Sequence, residues 1–221
     1  MRANKILHLV LAVALISLLA YSTPTVEAVS PTILNVPIDR QDLPLSCEAA
    51  SLKMALNYKG LPVTETQLIA IIGHDASARA GDRWGDPNKY YVGSLYGRQN
   101  STGYGVHWDP IARAAQIFKP QSHAFIGWNS TQLAQSITDG NPVIIWGVGG
   151  KARRDGWFTP EGNYVNTWVG EHTRLVIGFT GSVDNPQKFI LNDPWSGRIT
   201  WSRTTLERNW STFNYAGVVI Y

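Results

Sequence analysis

The sequence is short of the residues that usually announce a chemistry. Among 221 residues there is one cysteine, Cys47. An internal disulfide is therefore impossible, and so is a cage of thiolates around a metal. The His and Asp residues show no metal-ligand spacing, so neither a metal nor a cofactor is expected. Charged residues make up only 16% of the chain, the net charge is +3, and no Lys/Arg run occurs. Nucleic acid is not expected as a partner on that basis. No repeat of fixed period is present, and no second apolar run long enough to span a membrane follows the first. Gly147-Val148-Gly149-Gly150 loosely matches a dinucleotide fingerprint. Gly156 and Pro160 fall where the phosphate-binding helix would run, so the segment reads as a hairpin-type loop instead.

What is present supports one ordinary domain. The chain is 44% hydrophobic, enough for a real core, and carries nine Trp and nine Tyr, candidates for packing that core and for lining a groove. Residues 1–28 read as a secretory signal. Arg2 and Lys5 give a basic start, Ile6 to Ala20 is almost wholly apolar, and Val26-Glu27-Ala28 offers a small residue for cleavage. An uncleaved N-terminal anchor is the alternative. On either reading the rest of the chain is secreted or extracytoplasmic, with no membrane insertion beyond this segment. Residues 29–36 form a lead-in and 37–221 the domain.

The spacing predicts helices over 46–58, 64–72, 109–118 and 130–139. The first three are capped by Ser46, a Thr64/Gln67 capping box and Asp109 followed by Pro110, and the fourth ends at Gly140. Residues 81–106 lack periodicity and read as a long functional loop. Strand-like runs then follow at 143–148, 174–180, 188–192, 198–201 and 216–221, with a short helix near 204–210. Helices first and an antiparallel sheet afterwards is the α+β pattern.

Cys47 follows a helix N-cap, where free N–H groups and the positive end of the dipole favour a thiolate. Gln41, six residues upstream, can place its amide beside the sulfur as an oxyanion donor with the Cys47 N–H. His172 opens the strand 174–180 after a Gly170-Glu171 turn and can face the helix start as the base. His74, His107 and His123 read as helix-end, loop or core residues. Asp193 ends the neighbouring strand. If 174–180 and 188–193 form a hairpin, it lies beside His172, while Asn192 faces the other way. The plain alternatives are a surface Gln at 41 and a turn Asp before Pro194.

These residues carry a family resemblance. The run from Gln41 through Cys47 to Tyr58 resembles the nucleophile helix of the C-39-like peptidases, papain-like enzymes related to bacteriocin leader peptidases. Gly85-Asp86-Pro87-Asn88 and Gly103-Tyr104-Gly105-Val106-His107 resemble their middle loop. Glu171-His172 and Asn192-Asp193-Pro194-Trp195-Ser196-Gly197 resemble their base and orienting segments. The resemblance implies a papain-like fold and a cysteine peptidase. Cys47 is its nucleophile, His172 its base, Asp193 the orienter and Gln41 the oxyanion donor, with a peptide or protein as substrate. Glu48 stands where such enzymes often have Gly. A carboxylate aimed into the cleft would oppose the thiolate, so Glu48 is expected to point away. Residues 81–106 and loops near Trp157 and Trp168 are expected to wall the cleft. A non-catalytic peptide- or glycan-binding module and an acyltransferase on the same triad remain as alternatives.

Overall fold

The computed structural model describes residues 30–221. The signal expected for residues 1–28 lies outside the described residues. Among the described residues five α-helices form: α1 (Cys47–Tyr58), α2 (Glu65–Ile72), α3 (Trp108–Phe118), α4 (Ser130–Thr138) and α5 (Arg203–Trp210). The strands are β1 (Thr32–Ile33), β2 (His74–Asp75), β3 (Tyr91–Val92), β4 (His123–Phe125), β5 (Val143–Phe158), β6 (Tyr164–Gly181), β7 (Pro186–Asp193), β8 (Gly197–Ser202) and β9 (Gly217–Val219). One seven-stranded antiparallel sheet runs β4-β9-β5-β6-β7-β8, with β1 added to β6, while β2 and β3 pair separately in parallel. The α+β architecture expected from the sequence is the one that forms. No helix among the described residues is long and apolar enough to cross a membrane.

Local chemistry explains the helix starts. Thr64 and Gln67 form the expected capping box, and Asn129 with Gln132 forms a second. Helix α3 begins one residue earlier than expected. His107 is its N-cap, and Pro110 sits inside the first turn, where a missing N–H costs nothing. Helix α1 is buried almost all round, with Ala49, Ala50, Leu52, Ala55 and Leu56 at 0% exposure. It is the central helix, packed against β6. Chain before residue 37 also belongs to the fold. Thr32 and Ile33 pair with Phe179 and Gly178, and Val36 is fully buried.

The largest departure from expectation is the length of β5 and β6. The glycines at 147–150 do not end a strand. They make a register shift between Val148 and Arg153, with Gly150 at φ 63 and Gly170 at φ 89 taking the left-handed conformations it needs. The hairpin continues to Phe158 and returns from Tyr164, so His172 sits within β6, opposite Gly147, rather than at a strand head. Its outer arm has a core of its own. Trp157 and Val165 pack with Trp84, Val92 and Tyr104. The Arg79 guanidinium holds Asp155 at 2.9 Å, and the Trp84 N–H donates to the Phe158 carbonyl at 3.0 Å. Much of the aperiodic stretch 81–106 is thus pinned to the arm by aromatic packing, a tertiary contact that local periodicity does not report.

Candidate active site

Register brings the predicted residues together. In the β6–β7 ladder Leu175 pairs with Asn192, which puts Asp193 level with Arg174 and within reach of His172. The His172 Nε2 lies 3.0 Å from Asp193 Oδ1. The Arg174 Nε donates to Asp193 Oδ2 at 2.8 Å, and the N–H groups of Trp195 and Ser196 donate to Oδ1 at 2.8 and 3.0 Å. Burial works against this carboxylate, but His172, the Ser196 N–H and Arg174 outweigh it and hold its pKa well below the usual range. An ionised carboxylate only accepts, so the proton on His172 sits on Nε2 and Nδ1 carries the lone pair. Burial lowers the His172 pKa despite Asp193, so the ring is neutral at rest. Asn192 faces the other way, donating to the Val36 carbonyl at 3.2 Å and accepting from Arg198 at 3.1 Å.

Cys47 is the first residue of α1, as expected, but its surroundings differ from expectation. Ser46 precedes the helix without capping it. Its hydroxyl donates to the Leu43 carbonyl at 3.0 Å and is in contact with Glu65 Oε1. Glu65 also accepts the Asp42 N–H at 3.1 and 3.0 Å, so this buried carboxylate clamps the turn between Gln41 and Cys47. Nothing local in the sequence pairs Glu65 with residue 42 or 46; only the packing of α2 against α1 does.

Glu48 does not point into the cavity, yet it does not leave the sulfur alone. It is completely buried and accepts from Cys47 Sγ at 3.4 Å through Oε2 and from the Val106 N–H at 2.8 Å through Oε1. Glu171 lies beside it, 4% exposed, with Gln99 Nε2 at 3.3 Å from Oε2. Burial, then Glu48 and Glu171, push the Cys47 thiol well above its ordinary pKa, against weaker help from Thr173. The helix start alone suggested a thiolate. Desolvation and two carboxylates outweigh a fraction of a dipole charge, and the resting sulfur is a thiol. Among the described residues no hydrogen bond joins Cys47 to His172.

The groups share one cavity of about 320 Å³, lined by Gln41, Cys47, Arg98, Glu171, His172 and Trp195 among others. Gln41 reaches it, with its N–H tied to the Pro194 carbonyl at 3.2 Å. Its amide Nε2 donates to the carbonyls of Leu43 and Pro44 at 2.7 and 3.0 Å, so the expected oxyanion donor is engaged within its own loop. Trp195 walls the opening, 5.3 Å from the His172 ring between centroids. Trp157 and Trp168 do not line the cavity, contrary to expectation. Trp157 is buried in the hairpin arm, and Trp168 donates to the Thr212 carbonyl at 2.9 Å.

A helix-borne cysteine and a strand-borne His–Asp pair, facing one cavity in an α+β domain, make up the papain-like layout. Residues 33–218 match the profile of the Peptidase_C39 like family, and the chain belongs to that family. YvpB of Bacillus subtilis (strain 168), itself uncharacterized, is 30% identical over 195 residues, which cover 85% of this chain and 74% of that one. A crystal structure from Bacillus anthracis, assigned as a C39-like peptidase, superposes with a TM-score of 0.74 at 27% identity. The match covers 87% of this chain and 98% of that one.

Proposed function

We propose that the chain is a cysteine peptidase that cuts peptide or protein substrates through an acyl-enzyme. The observation that carries this reading is the His172–Asp193 pair, oriented at 3.0 Å and sharing its cavity with Cys47. Rotation about the Cys47 Cα–Cβ bond turns the sulfur from Glu48 toward His172 Nδ1. The thiol proton passes to Nδ1 as sulfur bonds to the substrate carbonyl carbon. The carbonyl electron pair moves onto oxygen, where the Cys47 N–H and one N–H of the Gln41 amide, released from its loop carbonyl, stabilise it. Collapse breaks the C–N bond, and the imidazolium gives its proton to the leaving amine. Water, deprotonated by the same imidazole, then adds to the thioester carbonyl carbon, the C–S bond breaks, and the imidazolium returns its proton to the departing sulfur. Asp193 fixes the tautomer throughout.

The basic start, apolar run and Val26-Glu27-Ala28 of the N-terminus support an exported enzyme. In the test, the chain is profiled against a peptide library beside the Cys47→Ala variant. Cleavage by the native chain and its complete loss in the variant are expected, together with loss of labelling by a thiol-directed electrophile. Activity retained without Cys47 overturns the reading. One observation favours a second reading, a module that binds peptide without cutting it: the resting sulfur bonds Glu48 rather than His172. That module would capture peptide equally well with Ala at 47 and release no product. An acyltransferase on the same triad would form product only with an added amine or thiol acceptor.

A further inference from the structure

The mechanism leaves two buried carboxylates unused directly beneath its nucleophile. Cys47 Sγ and one oxygen each of Glu48 and Glu171 lie within 4.8 Å of one another, and all three residues are buried. They come from the first turn of α1 and the middle of β6, so no sequence spacing links them. Neither glutamate forms an ion pair among the described residues. The nearby guanidinium of Arg174 gives its Nε to Asp193 instead. Among the described residues Glu171 Oε1 has no hydrogen-bond partner, although the residue is only 4% exposed. Buried carboxylate oxygens are seldom left so, because desolvation without compensation costs several kcal/mol. Gly105 keeps the space between the two carboxylates open. A side chain there would meet Glu48 Oε1 and approach Glu171 Oε2 to 3.0 Å.

We propose that Cys47, Glu48 and Glu171 form a binding site for a divalent cation of zinc type, with its fourth position open to the cavity. A thiolate with two carboxylates suits a borderline-soft ion. Calcium and magnesium want six or more oxygens, which this corner lacks. Zinc bonds of about 2.3 Å to sulfur and about 2.0–2.2 Å to oxygen put tetrahedral S···O edges near 3.5 Å. The Cys47 Sγ to Glu48 Oε2 separation is already 3.4 Å, and Glu171 closes the set by a side-chain shift of about an ångström. Cys47 and Glu171 both line the cavity, so the ion has a path in from solvent. On binding, the thiol proton and any proton held by Glu48 or Glu171 leave to solvent, and sulfur and one oxygen of each carboxylate bond the metal. The metal takes the place of the protons at this end and offsets most of the charge of the thiolate and the two carboxylates. It also takes the sulfur out of use until it dissociates, a reversible block on the site. That consequence rests on the nucleophile reading; the binding itself does not.

The test uses the purified full chain with buffered free Zn²⁺. Binding is read by competition with a chromophoric chelator, and access to the sulfur by the rate of Cys47 alkylation with iodoacetamide. One Zn²⁺ per chain is expected, with alkylation slowed at least about tenfold at saturation. Glu171→Gln and Glu48→Gln each weaken binding by about tenfold or more, whereas His172→Gln leaves it within about threefold. No binding by the native chain up to about 100 µM free Zn²⁺ overturns the proposal and requires no variant to fold. Unchanged affinity in Glu171→Gln overturns it as well. Loss of binding in His172→Gln alone moves the ion to the sulfur–imidazole pair and rejects the site stated. Neither readout is turnover, so failure here is distinct from failure of the peptidase assay.

Discussion

Buried carboxylates on the two sides of the cavity stand in opposite conditions. Asp193 is met by an imidazole N–H, a guanidinium and two backbone N–H groups, and its pKa is pushed down. Glu48 and Glu171, also buried, share one backbone N–H, one thiol and one long amide contact. Burial raises Glu48 to about 7 and, with Glu48 as its neighbour, raises Glu171 well above the ordinary range. The lesson is that burial alone does not set a carboxylate's state. The supply of N–H groups and cations around it does. The Asp193 end is built to stay charged and hold an imidazole. The Glu48–Glu171 end is built to hold a proton or a cation beside a thiol.

Breaking the Asp193 end should have the largest effect. Asp193→Ala removes the acceptor that fixes the His172 tautomer, and kcat should fall by about 10²–10⁴. Single-turnover assays on the best library peptide check this, and Asp193→Asn should restore part of the loss by keeping an acceptor oxygen. Arg174→Leu leaves Asp193 buried with its main cation gone and removes the guanidinium stacked 4.5 Å from the Trp201 ring. A destabilisation of about 3–5 kcal/mol is expected in urea unfolding at pH 7.

The Glu48 end should respond through pH. Its folded carboxyl keeps a proton up to about 7, against an ordinary value of 4.5. The folded state therefore binds more protons than the unfolded one between those values. Stability from this group is complete below about pH 4.5 and is lost as pH rises through about 7. Glu48→Gln removes that slope. Relative to the native chain it should gain about 2.5 kcal/mol between pH 5 and pH 8. Urea unfolding of both proteins at the two pH values checks it. An equal difference at both would mean that Glu48 is already ionised at pH 5 and that the two sides of the cavity are alike.

Much of the site was legible in the sequence because its signals are local. A cap-like Ser46 before Cys47, a β-branched run after His172 and a strand closing on Asp193 are short-range patterns. Antiparallel pairing then predicts that the last two meet. The glycines at 147–150 misled because a glycine pair reads as a turn, whereas here it bends a strand that the Trp84–Trp157 cluster holds in register. Glu48 was recognised as a problem for the thiol, but its direction was not legible. A first-turn glutamate reads as a dipole partner facing solvent, and only the loop at Gly105-Val106 covers it. Glu65 was missed because its partners lie 23 and 19 residues away, across a helix–helix contact.

The sequence by itself determined the α+β order of elements, the family, and the lone cysteine at a helix start. Periodicity and caps act over a few residues and mark the elements and the helix start, while the family is carried by the motifs around Cys47, His172 and Asp193. The tertiary structure alone decided the electrostatic state of that cysteine. Desolvation and through-space charge depend on which groups are folded against Glu48, here the Val106 backbone N–H and the Glu171 carboxyl, 58 and 123 residues away along the chain. The same packing that presents Cys47 to its cavity also seats it on two carboxylates.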